Sequence, residues 1–569
     1  MHHYLHDISM VFGGEAGQGL QTVTDTLLRI LKKSGYNVFS CMEYMSRIRG
    51  GCNTTEIRVT DKNRKAYLRR IDMLFALSPL AVEHLQSRIS TETLIFAEKE
   101  GFTGKWTENC IDTPWTKFTD ETGMPVFANT VAAGVVLGIT GISLELFTGY
   151  LREQFATKGD EIISKNSTAA KLGYDFGCKI AAAEKIVLPS PTAIKSPERA
   201  LMDGNAALGI GAVAAGCNFI SSYPMSPGTG LLTFMASRSK VYGIVVDQAE
   251  DEIAAINSAI GASYAGARAV VTTSGGGFAL MQEGVSLAGI LETPVVLHIG
   301  QRPGPATGLP TRTEQGDLNL ALYAGQGDFA RAILSPGTLE DLTESIQNAS
   351  NLADRFQIPV FVLTDQYLLD SITTIDRASI KQLPVKMSLI QTTDNYRRYA
   401  LTADGLSPRG VPEYGEGLVR VDSDEHDEYG LITESSEVRR LMVEKRLKRK
   451  QPLREAALMP TIIGRIEEAD TLVISWGSNR GVLEEALDKI GSNKLAGIHF
   501  SQIFPINPAV FSLLENKLLV IMENNATGQF ADLLSLETGR TISHRILKST
   551  GEPFSVEEVL EALTEIDHE

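Results

Sequence analysis

The sequence predicts an α/β protein with three α/β domains, of which the second and third carry mostly parallel sheets. Short apolar strands alternate with helical stretches along most of the chain, and this alternation is typical of parallel sheets joined by crossover helices. Glycine-rich or polar loops follow several of these strands. Since binding sites on parallel sheets are built from loops at the strand ends, the sequence also predicts a ligand site.

The composition is that of a globular chain with several domains and no excess of positive charge. The 569 residues are 43% hydrophobic and 21% charged, an ordinary balance for soluble domains. The formal charge of −16 leaves no basic excess to neutralise phosphates, which excludes nucleic acid as a general partner. The apolar run at residues 131–142 is broken by glycines and too short to span a bilayer, so we expect no membrane partner.

The cysteines and the N-terminal residues predict a cytoplasmic location. No two cysteines form a CxxC pair, so neither a zinc site, a ferredoxin-type cluster nor a disulfide framework is expected from this chain. This usage fits a reducing cytosol. Residues 1–7 lack a basic region followed by an apolar run, and we therefore expect no signal peptide. The five cysteines are Cys41, Cys52, Cys110, Cys178 and Cys217.

The first predicted domain, residues 1–185, begins with a strand and a glycine-rich stretch. The strand at residues 8–12 leads into residues 13–19, which precede a helix with one apolar face. A glycine turn before a helix N-terminus can bind a phosphate through free N–H groups and the helix dipole. Glu15 interrupts the glycine spacing of the dinucleotide fingerprint, so a tight turn for packing explains the stretch equally well. The apolar face of the helix consists of Leu20, Val23, Leu27, Leu28 and Leu31.

Three further features complete this domain and its boundary. The loop at residues 47–51 carries two arginines that either bind a phosphate or form a solvated edge. Residues 129–138 predict a helix of small residues that packs closely on a neighbour. Residues 186–197 contain three prolines, which fix φ and remove donors, and we interpret them as a linker. Strands are predicted at residues 56–60 and 73–77.

The second predicted domain, residues 198–380, is a run of alternating helices and strands. A helix rich in alanine and glycine is predicted at residues 205–217, and another helix follows Glu252. We expect the second helix to bury one face, formed by Ile253, Ile256, Ile260 and Tyr264. Strands are predicted at residues 219–222, 241–246, 269–273, 294–298 and 359–363.

A charged connecting segment, residues 381–455, separates this domain from the third predicted domain, residues 456–569. The acidic run at residues 422–428 either binds a hard cation through its oxygens or forms a solvated face. In the third domain each predicted strand ends in a turn of glycine or polar residues, again a loop at a strand end. These strands are residues 471–477 and 518–523, the second followed by Asn-Asn-Ala-Thr-Gly-Gln at residues 524–529.

Four loops between residues 221 and 316 carry the candidate chemistry. Glu252 sits in the first turn of a helix, where the dipole favours its ionised form, although simple capping by an acidic residue explains the position as well. Arg302 follows a buried strand and has the planar fork suited to a carboxylate, or it is a surface arginine in a proline-rich loop. Ser226 and Thr311 can add hydroxyl donors. The loops are residues 223–229, 247–252, 272–277 and 301–311.

Several of these runs resemble one enzyme family, the 2-oxoacid:ferredoxin oxidoreductases. Tyr-Pro-Met-Ser-Pro at residues 223–227 resembles the family's Tyr-Pro-x-Thr-Pro motif. Residues 248–277 resemble the α-subunit segment whose glutamate faces thiamine diphosphate, and residues 301–317 resemble the substrate loop. The chain therefore looks like a γ domain fused ahead of an α subunit of the 2-oxoglutarate type. Further resemblance lies in residues 425–430 and 523–529, and residues 13–19 and 49–51 resemble the separate γ subunit.

This resemblance implies a fold for each predicted domain. Residues 1–185 would be a γ-type α/β domain on the coenzyme A side. Residues 198–380 would be the pyrimidine-binding domain of a thiamine-diphosphate fold, and residues 456–569 a transketolase C-terminal-like domain.

The resemblance also implies a role for each candidate residue. Glu252 would be catalytic, because the family's glutamate bonds the aminopyrimidine ring and stabilises the imino tautomer that removes the thiazolium C2 proton. Tyr223, Pro224 and Ser274 would bind the same cofactor. Arg302 would hold the substrate's 1-carboxylate, while Ser226, which replaces the family's threonine, and Thr311 would lie near the substrate. On the coenzyme A side the implied residues are Gly14, Gly17, Gly19 and Arg49.

The resemblance further implies a second chain. The Gly-Asp-Gly motif for a magnesium-bound diphosphate and the four-cysteine cluster pattern are absent from this sequence, and the family places both on a β subunit. We therefore expect a β subunit that carries Mg²⁺ and a 4Fe-4S cluster, ferredoxin as a partner, and an (αβ)2 assembly. No metal site is expected on this chain itself.

The implied activity is oxidative decarboxylation of a 2-oxoacid with coenzyme A, which yields acyl-CoA, carbon dioxide and reduced ferredoxin. The γα fusion favours 2-oxoglutarate, and Arg312 is a candidate cation for its distal carboxylate. Pyruvate or a branched-chain or aryl 2-oxoacid is the alternative substrate. Two other classes stay open: a nucleotide-binding dehydrogenase or regulator built on the glycine stretch, and a scaffold subunit without catalysis.

Overall fold

Three β-sheets organise the chain in this computed structural model, which describes residues 4, 6–15, 20–46, 51–99, 107–122, 127–189, 191 and 198–568. The chain divides into two compact units. The first unit consists of Met1–Met202, Asp370–Ser379 and Ser555–Glu557, and the second of Asp203–Leu369, Ile380–Phe554 and Glu558–Glu569. The five segments predicted from the sequence stay a prediction.

The strands, in chain order, are β1 Asp7–Glu15, β2 Asn37–Glu43, β3 Cys52–Thr60, β4 Met73–Ala76, β5 Leu94–Ala97, β6 Cys110–Asp112, β7 Arg199–Asp203, β8 Phe219–Ser222, β9 Val245–Gln248, β10 Ala269–Thr273, β11 Val295–Gln301, β12 Ala332–Leu334, β13 Pro359–Asp365, β14 Ile372–Asp376, β15 Thr461–Ile463, β16 Thr471–Trp476, β17 Leu495–Phe500, β18 Gln502–Phe504, β19 Leu518–Glu523 and β20 His544–Leu547.

The helices are α1 Leu20–Lys33, α2 Pro79–Leu85, α3 Trp115–Thr122, α4 Ala128–Thr140, α5 Leu144–Gln154, α6 Asp160–Glu184, α7 Gly204–Ala214, α8 Thr229–Tyr242, α9 Glu252–Tyr264, α10 Gly275–Phe278, α11 Gln282–Ile290, α12 Leu318–Leu322, α13 Leu339–Phe356, α14 Gln366–Asp370, α15 Ser436–Lys448, α16 Lys450–Glu455, α17 Arg480–Ile490, α18 Val510–Leu513, α19 Gln529–Thr538 and α20 Val556–His568.

The first unit is built on an eight-stranded mixed sheet in the order β6-β5-β4-β1-β3-β2-β14-β7. The central strand β1 pairs antiparallel with β3 and parallel with β4. Its side chains alternate between two cores, because Ile8, Met10 and Phe12 join the core under α1, α4 and α5, whereas Val11 joins the core under α2. Helices therefore cover both faces of this sheet, as the prediction of an α/β layer structure requires.

The structure corrects the predicted glycine turn at residues 13–19. Gly13 and Gly14 belong to β1 and pair with Thr54 and Asn53, so the strand is longer than predicted. A Cβ at Gly13 would lie 2.5 Å from the Cβ of Ala81, which shows that this glycine allows α2 to pack closely on β1. Residues 16–19 and 47–50 lie outside the described residues.

The predicted close packing of a small-residue helix is confirmed in α4, which crosses α6. A Cβ at Gly134 or Gly138 of α4 would lie 2.5 or 2.3 Å from a backbone oxygen of α6. Glycines of α6 meet α4 in the same way, because a Cβ at Gly173 or Gly177 would lie 2.0 or 2.1 Å from the oxygens of Val131 and Val135. No side chain fits between these two backbones, and glycine is therefore required at the crossing.

The second unit contains a seven-stranded sheet in the order β18-β12-β13-β11-β10-β8-β9. Its strands β8 to β13 are parallel, as predicted, and only β18 runs antiparallel at one edge.

The predicted strand at residues 241–246 is wrong in its first part. Helix α8 continues to Tyr242, where Gly243 at φ 66° ends it, and β9 begins at Val245. Ile253 is also misassigned to the buried face of α9, because it is 52% exposed.

A five-stranded sheet in the order β15-β17-β16-β19-β20 completes the second unit. Both strands predicted for the third domain are present, as β16 and β19, and they pair in parallel. One hydrophobic core runs beneath both sheets of this unit and includes Phe361 of β13 and Trp476 of β16. Strand β18 follows β17 in the chain yet pairs with β12, so the chain passes from the five-stranded sheet to the edge of the seven-stranded sheet.

Several charged residues of the connecting segment, residues 381–455, form buried ion pairs. Lys445 lies in α15 and Arg449 directly follows it. Nζ of Lys445 and Nη2 of Arg449 each lie 2.6 Å from Oε2 of Glu292. Burial alone would raise the pKa of Glu292, but the two cations hold it well below its usual range. In the acidic run, Glu425 pairs with Arg446 at 2.9 Å and also with Arg439.

The described residues contain neither a metal-binding cluster nor a membrane-spanning helix. No group of three or more His, Cys, Asp or Glu side chains is placed to hold a metal ion in the part of the chain that the structure describes. Within the same residues, every helix is too short or too polar to cross a bilayer.

We predict that Gly173→Ala destabilises the first unit by about 1–3 kcal/mol, the usual cost of overpacking a filled interior. The added methyl group would meet the oxygen of Val131 on α4. Gly149→Ala on α5 is the matched control, since no atom lies within 4 Å of its Cβ position. That change should stabilise the protein by about 0.5–1 kcal/mol, because alanine favours a helix. Urea unfolding followed by circular dichroism measures both, and equal midpoints would contradict the proposed crossing.

Candidate active site

The carboxyl ends of neighbouring parallel strands bring the four predicted loops to one edge of the seven-stranded sheet. Strand β8 lies between β9 and β10, and β10 lies next to β11. The loops that follow these strands begin at Tyr223, Ala249, Ser274 and Arg302. Their positions at one edge follow from the parallel order of the strands, in which all carboxyl ends point the same way.

The structure separates the roles of the crowded acidic residues between 247 and 252. Asp247 accepts a hydrogen bond from the Ser221 hydroxyl at 2.7 Å, and Asp251 caps α9 by accepting from the N–H of Ala254 at 2.7 Å. Glu250 is exposed. Glu252 is 3% exposed and its Oε1 has no hydrogen-bond partner among the described residues. Capping therefore does not explain Glu252.

A glycine turn lies directly against Glu252. A Cβ at Gly277 would lie 2.5 Å from Oε1 of Glu252, so only glycine leaves room for this carboxyl. At the start of the same turn the Ser274 hydroxyl is fully buried and has no hydrogen-bond partner in the described structure. Buried polar atoms without partners are costly and rare in native proteins. Two of them beside one turn indicate a place where a bound group supplies the missing hydrogen bonds.

Arg302 joins two of the loops. Its Nη1 donates to the backbone oxygen of Ser226 at 2.6 Å. Burial lowers the pKa of Arg302, and none of the described carboxylates lies within ion-pairing distance of it. The guanidinium thus keeps further N–H groups for a ligand.

The remaining predicted residues are placed less tightly. Tyr223 is 41% exposed, Ser226 is exposed and Pro224 is half-buried. Thr311 lies in a turn closed by the N–H of Arg312, which donates to the oxygen of Leu309 at 3.1 Å. Ser226 contacts the Arg302 side chain through its backbone oxygen and not through its hydroxyl. No described hydrogen bond joins the Thr311 hydroxyl to either residue.

A buried histidine that the sequence reasoning missed supports the Tyr223 loop. The Thr272 hydroxyl donates to the oxygen of Gly228 at 2.8 Å and lies 2.7 Å from Nδ1 of His298. Since the hydroxyl hydrogen of Thr272 is used, Nδ1 carries the proton and donates, and Nε2 accepts from Thr364 at 2.8 Å. Burial lowers the pKa of His298 to about 3, which keeps the ring neutral. The only sequence signal was a polar residue within an apolar strand.

Asp317 is a second group that the sequence reasoning missed. Its backbone N–H donates to Oε1 of Gln301 at 3.0 Å, and a Cβ at Gly275 would lie 2.3 Å from its carboxyl. Burial, reinforced by the charge of Glu314 and opposed by Arg302, raises the pKa of Asp317 to about 7. Its Oδ2 is buried without a hydrogen-bond partner among the described residues.

Loops of the five-stranded sheet hold the segment that carries Asp317. The amide of Gln315 donates to the oxygen of Trp476 at 2.8 Å and accepts from Asn479 at 2.9 Å and from the N–H of Asn524 at 2.8 Å. The backbone of Gln315 bonds Asn524 and Asn525 as well, at 2.7 and 3.1 Å. Residues 523–529, which the sequence analysis singled out only for their resemblance to the family, therefore hold the loop from Gln301 to Asp317 in place. We call these hydrogen bonds to Gln315 the clamp.

Of the four residues predicted on the coenzyme A side, the structure describes only Gly14. Gly14 lies in β1, and Gly17, Gly19 and Arg49 lie outside the described residues. A cavity of about 520 Å³ in the first unit opens beside the end of β1. Its described lining combines the carboxylates of Glu15, Glu43 and Asp370 with the apolar side chains of Leu20 and Met42.

Two family models match the chain. Residues 210–445 match the family described as pyruvate flavodoxin/ferredoxin oxidoreductase, thiamine diphosphate-binding. Residues 9–176 match the family described as pyruvate ferredoxin/flavodoxin oxidoreductase. The 2-oxoacid:ferredoxin oxidoreductase subunit alpha of Sulfolobus sp is 31% identical over 626 aligned positions, covering 98% of this chain and 97% of the relative. The 2-oxoglutarate oxidoreductase subunit KorA of Mycobacterium tuberculosis is 26% identical and covers 93% and 87%.

A solved structure is similar over the full length. The 2-oxoglutarate:ferredoxin oxidoreductase from Magnetococcus marinus, with 2-oxoglutarate, coenzyme A and succinyl-CoA bound, superposes with a TM-score of 0.92 at 28% identity. The match covers 98% of this chain and 99% of that chain. The fold class implied by the sequence resemblance is therefore confirmed.

We predict that Gln315→Leu lowers the free energy of unfolding of the second unit by about 2–4 kcal/mol, because each buried group left without a partner costs about 1–3 kcal/mol. Asn479, Asn524 and Trp476 would each lose a hydrogen bond. Gln326→Leu is the control, since Gln326 is exposed and no hydrogen bond of its side chain is described. Urea midpoints measure the difference, and an unchanged midpoint for Gln315→Leu would mean that the clamp adds no stability.

Proposed function

The chain belongs to the 2-oxoacid:ferredoxin oxidoreductases as an alpha subunit, and from that premise we propose that it oxidatively decarboxylates a 2-oxoacid, with 2-oxoglutarate as the preferred substrate. Coenzyme A would accept the acyl group and ferredoxin the electrons. The observation that carries the proposal is the full-length likeness to an enzyme whose structure holds 2-oxoglutarate and succinyl-CoA. The relatives named after 2-oxoglutarate support the same substrate.

The residues around the glycine turn fit thiamine diphosphate. The family model over residues 210–445 is described as binding this cofactor. Oε1 of Glu252 and the hydroxyl of Ser274 are buried there without partners among the described residues, and Gly277 keeps the space beside Glu252 open. We infer that Glu252 and Ser274, together with Tyr223 and Pro224, hold the aminopyrimidine end.

When bound, thiamine diphosphate supplies the carbanion and the electron sink that this decarboxylation needs. The contribution of the chain is a buried carboxyl at Glu252, whose Oε1 is left to hydrogen-bond a ring nitrogen of the cofactor and is kept away from water. A charged or neutral carboxyl at this place sets which ring nitrogen carries a proton.

Arg302 is the proposed carboxylate-binding residue of the substrate site. One N–H of its fork is used on Ser226, and the others can bind the 1-carboxylate of a 2-oxoacid. Ser226 and Thr311 would add hydroxyl donors. Because Ser226 is one methyl smaller than the family's threonine, the space beside the substrate differs from the family pattern. This difference bears on which 2-oxoacid the site prefers.

The other components belong to partners in this proposal. The relatives are named as alpha subunits, which supports a beta subunit. We propose that the beta subunit carries the diphosphate and Mg²⁺ site and a 4Fe-4S cluster, that the assembly is (αβ)2, and that it works in the cytoplasm. Gly14, Gly17, Gly19 and Arg49 are the proposed residues on the coenzyme A side.

We predict that Glu252→Gln, in a complex purified anaerobically with its partner, lowers kcat by about 100- to 10,000-fold, the range for loss of a proton-transfer group. A viologen acceptor and a panel of 2-oxoacids with coenzyme A measure turnover. Glu250→Gln is the matched control and should leave kcat unchanged, because Glu250 is exposed. If the wild-type complex turns over no 2-oxoacid, the proposed function is wrong; if Glu252→Gln retains full turnover, the catalytic role of Glu252 is wrong.

We predict that substitutions of Arg302 and Arg312 have different effects, since Arg302 would bind the carboxylate that all 2-oxoacids share and Arg312 the distal carboxylate of 2-oxoglutarate. Arg302→Lys keeps the charge but loses the fork, and should raise KM about ten- to a hundredfold for every 2-oxoacid. Arg312→Gln should raise KM for 2-oxoglutarate and leave KM for pyruvate unchanged, because only 2-oxoglutarate has a distal carboxylate. A parallel rise for both substrates in Arg312→Gln would remove Arg312 from the substrate site.

A further inference from the structure

Asp317 stands at the start of α12 but does not act as its cap. The position before the first helical residue is where an aspartate ordinarily accepts hydrogen bonds from the first free N–H groups. No such bond is made by the Asp317 side chain. The carboxyl turns instead toward the glycine turn, where it fills the space above Gly275.

The surroundings of the carboxyl leave its charge uncompensated. Glu314 lies in the same loop and adds repulsion, while Arg302 at the end of β11 is the attracting charge. No cation in the described residues comes within ion-pairing distance of Asp317. The turn that packs against it, residues 274–277, contains no ionisable side chain, and Glu252 lies at the far end of that turn.

We propose that Asp317 is a proton-binding residue of the substrate site, and that its ionised form opposes the binding of a carboxylate ligand by Arg302. The inference rests on the proposed function, because it assigns the role of Arg302 to carboxylate binding. It gives a role to Asp317, which closes the run at residues 301–317 but received no role from the sequence analysis.

The sign of the effect follows from charge. A ligand carboxylate bound near Arg302 brings a second negative charge toward Asp317, which favours its protonated form. Binding therefore takes up protons near pH 7, where the free carboxyl is partly ionised. By linkage, affinity falls as the pH rises through this range. Carboxylate affinity should drop about three- to tenfold between pH 6 and pH 8.5, which corresponds to a pKa change of about half a unit to one unit on binding.

The test uses the complex with its partner and oxamate, an unreactive analogue of a 2-oxoacid. Calorimetry at pH 7.5 in two buffers of different ionisation enthalpy gives the protons taken up, and titrations from pH 6 to 8.5 give the affinity. Wild type should take up a fraction of a proton, whereas Asp317→Asn should take up none and bind with the same affinity across the range. Glu314→Gln should move the midpoint to lower pH, because Glu314 raises the pKa of Asp317.

A second measurement tests whether Asp317 ionises as inferred. Its pKa in the folded protein is raised to about 7, so its stabilising effect is complete below the unfolded pKa and is lost as the pH rises toward 7. The stability of Asp317→Asn relative to wild type should therefore increase between pH 4 and pH 7.5.

The outcomes are distinct. If Asp317→Asn keeps the wild-type pH dependence of oxamate binding, or if relative stability does not change with pH, the inference about Asp317 is overturned while the proposed function stands. If no variant, wild type included, binds oxamate or turns over a 2-oxoacid, the proposed function fails and takes this inference with it.

Discussion

The hydrogen bonds of Gln315 are the constraint on which the candidate site depends. This side chain lies above Gly477, whose missing Cβ leaves room for the amide, and it is fully buried between the two sheets of the second unit. Its partners are the last residue of β16 and residues of the loops that follow β16 and β19. Gln529 reinforces it by donating to the oxygen of Gly316 at 2.9 Å. The loop with Arg302 and Asp317 is thus shaped by a sheet that contributes no candidate ligand-binding group.

This arrangement explains which parts of the site were readable from sequence. Glu252 and Arg302 follow strands of one parallel sheet, the edge strand β9 and the buried strand β11, and strand order alone brings their loops to one edge. The place of their loops was therefore predictable, whereas their roles stay a prediction, and the choice of Glu252 among its neighbours needed the family resemblance. The structure supplies the physical reason for that choice, because Asp247 and Asp251 are both occupied by hydrogen bonds to other groups.

Other parts could not be predicted because they depend on contacts between residues distant in the chain. Burial, with the charge of Glu314, raises the pKa of Asp317, and burial lowers the pKa of His298, whose ring lies between threonines of two other strands. The end of α8 was missed for a local reason, since Val241 and Tyr242 are as apolar as a strand and only the conformation of Gly243 separates them from β9. Gly13 looked like part of a turn, whereas it serves packing against Ala81.

The pairing of β18 with β12 has a consequence for how the chain avoids self-association. Without residues 502–504, β12 would end the seven-stranded sheet with unpaired N–H and C=O groups, a template for pairing with another copy. The ladder from Ile333 to Phe504, extended by the N–H of Ser335 to the oxygen of Ser501 at 2.8 Å, covers that edge. Strand β18 therefore protects this edge, and a chain in which β18 has not yet paired leaves β12 open to pairing with another copy.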